Sequence, residues 1–397
     1  MNRSAFRLVP PAGAPVPLRA VFPSLVERAG APRGLAALQS ELGARSTFLV
    51  SSGRAALTIM LEALRRRSER REVVIPAYTC FSVASAIARA GLTIRLCDVD
   101  PVTLDLDPDA LRRLPLHEAL AVVPSGLYGL PGDLVGLEAT ARLFGTSLID
   151  DAAQCLGATM AGRPCGTFGD AGFYSLGRGK GVTTMGGGIL VAHRGDLTEA
   201  IASIVRELPR ASTAETGAAV AGSLLYSGLL QPSIYWLVDR VLDLGGSHFE
   251  PEFPLAQLSA YQRRLAEQVL PLAGAYNKTR RDHADHLRSG LEGVAGISLA
   301  RPVAGASPVY LRFPILTRDS AHRAALLRQL RAAGISASAS YPTPIGDIPG
   351  ISRYLAPDQE SCPAASSIAA RILTLPTHPG VTARDVERMI AIVGTSR

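Results

Sequence analysis

The stretch "FYSLGRGKGVTTMGGG" (residues 173–188) sets a single amine, Lys180, in a nest of glycines. The chain carries 41 lysines and arginines, and only Lys180 and Lys278 are lysines. Arginine supplies charge and phosphate contacts but keeps its proton, whereas a lysine amine can lose its proton and attack a carbonyl. A lysine where arginine is the habit marks Lys180 as a candidate nucleophile. The plainer reading is a surface residue without a chemical role. Ser175 precedes it at the end of the predicted strand "AGFYS", and the glycines at 177, 179, 181 and 186–188 let the backbone pass close to a ligand.

Two other stretches offer complementary chemistry. "SSGRAAL" (51–57) brings small residues into a helix, whose first N–H groups and dipole favour an anion; the plainer reading is an N-cap by Ser51 or Ser52. "LIDDAAQ" (148–154) places Asp150 and Asp151 at the C-terminal end of a strand, where open α/β sheets bind ligands. A carboxylate there can hold a proton on a heterocyclic nitrogen, or else cap a helix or pair with a cation. An anion cradle, an acid and an amine together match the needs of pyridoxal 5'-phosphate (PLP): a phosphate site, a Schiff-base lysine and a carboxylate beside the pyridinium nitrogen.

The elements that must position these groups alternate. "EVVIP", "TIRLCDV", "LAVVPSG", "TSLIDDAAQ", "DAGFYSL" and "GGILVA" read as short apolar strands. "SSGRAALTIMLEALRRR", "FSVASAIARAG" and "DLVGLEATARLFG" read as helices, the last two stopped by Gly91 and Gly145. This alternation predicts an α/β fold with a mostly parallel sheet flanked by helices. Long helical patterns from about 254 to 292 lead into a smaller C-terminal α+β domain. The expected organisation is an arm at 1–35, a large α/β domain at 36–245, linking helices at 246–290 and the small domain at 291–397.

Five blocks in order resemble the DegT/StrS-type sugar aminotransferases, within the fold-type I PLP enzymes. They are "VVIPAYTCFSVASAIARAGLTIRLCDVDPVTLDLDP", "VVPSGLYGLPGDL", "IDDAAQCLGATMAGRPCGTFGDAGFYSLGRGKGVTTMGGGILV", "LRAAGISASASYPTPI" and "RILTLPTHPGVTARDVERMI". The resemblance spans about 45–395. It implies that Lys180 forms the Schiff base and Asp151 pairs with the pyridine nitrogen. It further implies that Gln154 contacts the ring hydroxyl, and that Ser175 with the backbone of Gly53 and Arg54 holds the phosphate. Lys278 lies outside every block and reads as a surface residue. An aromatic residue commonly stacks on the ring where Cys80 stands, so either Phe81 or Tyr78 substitutes or the stacking is lost. The family's "HYP" is "SYP" here, at Ser340 to Pro342.

The implied activity is transamination from an amino-acid donor, most plausibly glutamate, to a carbonyl acceptor such as a keto-sugar nucleotide. A homodimer is implied as well, although "GSHFEPEFPLAQLSAYQ" lacks the asparagine through which the partner subunit usually reaches the phosphate. The alternatives are another PLP reaction on a less polar substrate (elimination or carbon–carbon bond formation) and a non-catalytic scaffold.

Composition narrows the classes. With 47% hydrophobic and 19% charged residues the chain is an ordinary globular one. Its net charge of +7 suits an anionic ligand, but the arginines are spread along the chain and do not predict nucleic-acid binding. Five cysteines without metal or redox spacing, and no signal-peptide pattern at the N-terminus, suggest a cytoplasmic protein with reduced thiols. The apolar stretch at 218–242 is interrupted by Gln231 and Pro232. It reads as two helices that can meet a membrane surface or an apolar partner, not as a span.

Overall fold

A computed structural model describes residues 7–26, 33–239 and 248–395. Parts of the expected arm and residues 240–242 of the apolar stretch lie outside these. Nine strands belong to the first half of the chain: β1 (Ser46–Val50), β2 (Glu72–Pro76), β3 (Thr93–Cys97), β4 (Ala119–Val122), β5 (Ser147–Asp151), the two-residue β6 (Thr159–Met160) and β7 (Arg163–Pro164), β8 (Ala171–Ser175) and β9 (Gly188–Ala192). Seven of them form one sheet in the order β1-β9-β8-β5-β4-β2-β3. Neighbours are parallel from β3 to β8, and β9 is antiparallel to both β8 and β1. The strands are almost wholly buried apolar runs, as expected for a sheet covered on both faces.

The helix Gly53–Arg65 buries ten of its thirteen residues, among them Ala55, Leu57, Ile59 and Leu61. A helix apolar nearly all round belongs in the interior, and this one fixes its N-terminus at the end of β1. The helix Phe81–Arg89 likewise follows β2.

The C-terminal α+β unit is a three-stranded antiparallel sheet, β10 (Ile297–Leu299), β12 (Arg312–Thr317) and β13 (Ile372–Pro376), ordered β10-β12-β13. The short β11 (Ala306–Ser307) pairs instead with β6. The helical patterns from about 254 to 292 form two helices, Ala260–Val269 and Ala273–Leu291, separated by a turn at Pro271.

The N-terminal arm is docked. Val9 bridges Ile335, Ser227 Oγ accepts from Val16 N and donates to Val16 O, and Arg7 forms a bidentate pair with Asp385 at 2.7 Å. The apolar stretch is broken as its proline predicts, into Thr213–Leu229 and Pro232–Val238. Among the described residues no helix is long and apolar enough to cross a membrane.

Candidate active site

Every strand that runs with the parallel set and ends near the sheet's centre delivers a polar group to one place. A cavity of about 170 Å³ is lined by Ser52, Gly53 and Arg54 after β1, Cys80 after β2 and Ser125 after β4. Ser82, Asp151 from β5, Gln154 just beyond it, Ser175 from β8, and Lys180 complete its polar wall.

Its anion end is built by close backbone approach. Ser52 caps the helix Gly53–Arg65, its Oγ accepting from Ala55 N at 3.1 Å. A Cβ on Gly53 would stand 3.0 Å from Ser175 Cβ, so glycine lets the helix start abut the end of β8. The first-turn N–H groups of Gly53 and Arg54 are among the donors that every helix start leaves over. Ser175 Oγ accepts from Gly177 N at 3.3 Å. The Arg54 side chain turns away from this cradle, pairing with Glu250 at 2.8 Å and lying 4.3 Å over the Phe253 ring. Arg54 therefore offers the cradle its backbone, while its charge is spent elsewhere.

The acid end separates two adjacent aspartates. Strand alternation sends them to opposite faces. Asp150 accepts from Gly166 N and Phe168 N on the far side. Asp151 faces the cavity, with Oδ1 accepting from Ala153 N at 3.0 Å and Oδ2 from Ser125 Oγ at 3.3 Å. Burial pushes the Asp151 carboxyl up to about 6, against the pull of the Ala153 N–H, the Lys180 charge and Ser125. Gln154 Oε1 accepts from Tyr128 N at 3.0 Å and its Nε2 donates to Tyr341 OH at 3.3 Å.

This amine, acid and anion cradle lie in one cavity of a fold that a family pattern also recognises. A sequence model of the DegT/DnrJ/EryC1/StrS aminotransferase family matches residues 36–219 and 259–394. The chain belongs to that family. It is 28% identical over 345 residues, 86% of this chain and 82% of the other, to a UDP-N-acetyl-3-dehydro-alpha-D-glucosamine 3-aminotransferase of Acidithiobacillus ferrooxidans. It is 27% identical over 356 residues, 88% and 85% of the two chains, to a GDP-perosamine synthase of Caulobacter vibrioides. Its fold is shared with S. venezuelae DesV, solved in complex with a ketimine intermediate. That match has a TM-score of 0.75 and 24% identity, and covers 97% of this chain and 98% of that one.

Within this aminotransferase the stacking position resolves in one respect. Cys80 lines the cavity, while Phe81 and Tyr78 do not. Phe81 starts its helix and meets Tyr341 edge-on, centroids 6.0 Å apart. Tyr78 is fully buried, its hydroxyl bonded to Tyr128 OH at 2.8 Å and to Ser340 O at 2.6 Å. The stacking roles weighed for Phe81 and Tyr78 thus find no support, because both rings are committed to an aromatic cluster behind Cys80.

Sequence reasoning passed over Ser125 and the function of Tyr341. Ser125 lies in the quoted "VVPSG" and obeys the strand-end rule that located Asp151. Tyr341 is brought in from the C-terminal unit; it stands in the "SYP" already noted at Ser340 to Pro342, but nothing local to that motif shows that it reaches Gln154. Lys278 is exposed and paired with Asp282 at 2.7 Å, well away from these contacts. None of the five cysteines is in a disulfide, and among the described residues no group of three or more His, Cys, Asp or Glu is placed to hold a metal.

Proposed function

We propose that this aminotransferase binds PLP in the cavity at the strand ends and moves an amino group from an amino-acid donor, glutamate, to a keto-sugar nucleotide. The observation that carries this reading is the convergence of Lys180, Asp151, Gln154, Ser175 and the Gly53 helix start on one cavity. The residues fit the group. The Gly53–Ser175 approach leaves a cradle that a Cβ would crowd, and Asp151 is a buried carboxyl whose raised pKa a cationic ring nitrogen would relieve.

PLP, when bound, supplies an electron sink for a carbanion at the substrate carbon. The chain's own groups do the rest. The Gly53 and Arg54 N–H groups and Ser175 would hold the phosphate. Asp151 would keep a proton on the ring nitrogen, with Ser125 and Ala153 N fixing its carboxylate. Gln154, held at both ends of its amide, would orient the ring hydroxyl. Lys180 would anchor the group through its amine and, with that amine free, would carry a proton at its Nζ between the reacting carbons. The sugar acceptor is supported by the relatives named above, a UDP-N-acetyl-3-dehydro-alpha-D-glucosamine 3-aminotransferase and a GDP-perosamine synthase.

The working unit in this reading is a homodimer. The outward faces of Leu18–Leu25, Thr213–Leu229 and Pro232–Val238 expose Leu18, Phe22, Leu225 and Leu237, among other apolar residues. Small exposed residues (Gly217, Ala218 and Ala221) would let a second copy's helix approach closely.

The test is the visible spectrum of the PLP-loaded protein before and after glutamate, with the keto acid assayed. Loss of the yellow band with stoichiometric 2-oxoglutarate supports the reading, and a screen of keto-sugar nucleotides then identifies the acceptor. Retention of the band, or its loss without keto acid, rejects glutamate transamination in favour of another donor or another PLP reaction. A protein that takes up no PLP rejects the cofactor.

A further inference from the structure

Arg280 lies inside the helix Ala273–Leu291 and is fully buried. Its hydrogen-bond acceptors include no carboxylate. Nη1 donates to Asn277 Oδ1 at 2.9 Å, Nη2 donates to Gly181 O at 3.0 Å and Gly13 O at 3.3 Å, and Nε has no acceptor among the described residues. Burial pushes its pKa down to about 10. Interring a cation on neutral partners alone is costly, and a well-packed apolar side chain of similar volume is often the more stable filler. Filling the space does not by itself account for an arginine here.

Its neighbours do. Gly181 follows Lys180 directly, so one peptide beside the reacting amine hangs on the guanidinium. Gly179, on the other side, donates to Tyr226 OH at 3.3 Å. Asn277 sits three residues before Arg280 on the same helix face, and its Nδ2 donates to Leu156 O at 2.7 Å. Leu156 belongs to the turn that carries Gln154 out of β5. The next residue, Gly157, has φ +83°, and a Cβ there would come within 2.6 Å of Asn277 Nδ2. The glycine turn is shaped to admit that amide.

We propose that Arg280, acting with Asn277, is a positioning residue for the reaction: one buried helix face grips the Lys180 loop and the Asp151–Gln154 turn together and sets the amine's place relative to the acid. Only a rigid fork of donors reaches Gly181 O and Asn277 Oδ1 at once. The inference rests on the reading that Lys180 carries PLP.

The two-lysine composition supplies the test. Full-length protein is reductively methylated with 13C-formaldehyde, with and without PLP, and the Lys180 and Lys278 signals are followed by NMR. Lys278 serves as the internal reference. In wild type, PLP blocks Lys180 and spares Lys278; a Lys180 equally reactive with and without PLP overturns the cofactor reading and this inference with it. Arg280→Met keeps volume and removes the fork. The folded variant is expected to shift the Lys180-to-Lys278 rate ratio by about threefold or more and to lose about tenfold or more in kcat at a donor KM within about twofold. A folded variant with the wild-type ratio and kcat, in a protein whose Lys180 is blocked by PLP, overturns the positioning role alone. If the methionine variant does not fold, Arg280→Gln is read by the same criteria. Failure of both to fold overturns the proposal in favour of a structural role.

Discussion

The side-chain amide of Gln154 donates to the hydroxyl of Tyr341 at 3.3 Å, joining the wall of the cavity to a residue of the C-terminal unit. Tyr128 N holds the other end of the same amide. The orientation of Gln154 thus depends on a side chain distant in sequence. Burial pushes the Tyr341 phenol well above its usual range, so the hydroxyl stays protonated and can accept from Gln154 while bonding Cys80. Tyr341→Phe removes the hydroxyl from both Gln154 and Cys80; loss of the bond to Gln154, about 1 kcal/mol, is expected to lower kcat/KM roughly fivefold. Steady-state kinetics beside a melting curve checks this. An unchanged kcat/KM would show that Tyr341 does not govern Gln154.

The two lysines make opposite predictions. Lys180→Ala is expected to abolish the covalent link and cut the rate by about 10³-fold or more. Lys278→Ala removes only an exposed pair with Asp282 and should leave both intact. Borohydride reduction of the PLP-loaded proteins and peptide mass mapping reads the link directly. A pyridoxyl group on Lys278 in wild type would refute the assignment.

The Asp151 carboxyl gives a pH dependence with a defined sign. Its pKa in the folded, cofactor-free protein is raised from 3.8 to about 6, chiefly by burial. A raised acid pKa stabilises the fold fully below pH 3.8, and that contribution is lost as pH rises through 6. The cofactor-free protein therefore carries an unfavourably buried carboxylate at neutral pH, which a cationic ring nitrogen relieves. PLP affinity should fall by up to about tenfold per pH unit below 6, where Asp151 is protonated and must lose its proton before it can pair with the cationic ring nitrogen. PLP should accordingly raise the unfolding temperature more at pH 8 than at pH 5, and Asp151→Asn should flatten the difference. Equal rises in wild type would place the ring nitrogen's partner elsewhere.

What could be read from the sequence was what is local. The glycine-nested Lys180, the strand ending in Asp151, and the serine at the end of β8 each carry their signal within a few residues, and the structure gathers them in one cavity. The strand Ser46–Val50 was not anticipated. It is an edge strand, half-buried over its first three residues, and its pattern is weak. The choice among Cys80, Phe81 and Tyr78 stayed open because it turns on a contact made from outside their neighbourhood. Tyr341 draws Phe81 and Tyr78 away, with ring centroids 6.0 and 6.4 Å from its own, and leaves Cys80 facing the cavity. Arg280 gave no sign at all in a helix with three arginines, of which it alone is fully buried.

The apolar outer face makes the last prediction. Leu225 and Leu237 are 60% and 62% exposed on adjacent helices, and Phe22 is 56% exposed on the arm helix that packs against the first of them. A patch of this kind on a folded chain marks an interaction surface. A second copy seated there needs about 1,000 Å² or more of total buried area to persist. Wild type is expected to sediment as a dimer at micromolar concentration. The double substitution Leu225→Glu and Leu237→Glu should shift it to monomer without altering the far-UV circular dichroism. A monomeric wild type that floats with anionic vesicles would assign the face to a membrane surface instead. A dimer unmoved by the substitutions would place the interface elsewhere.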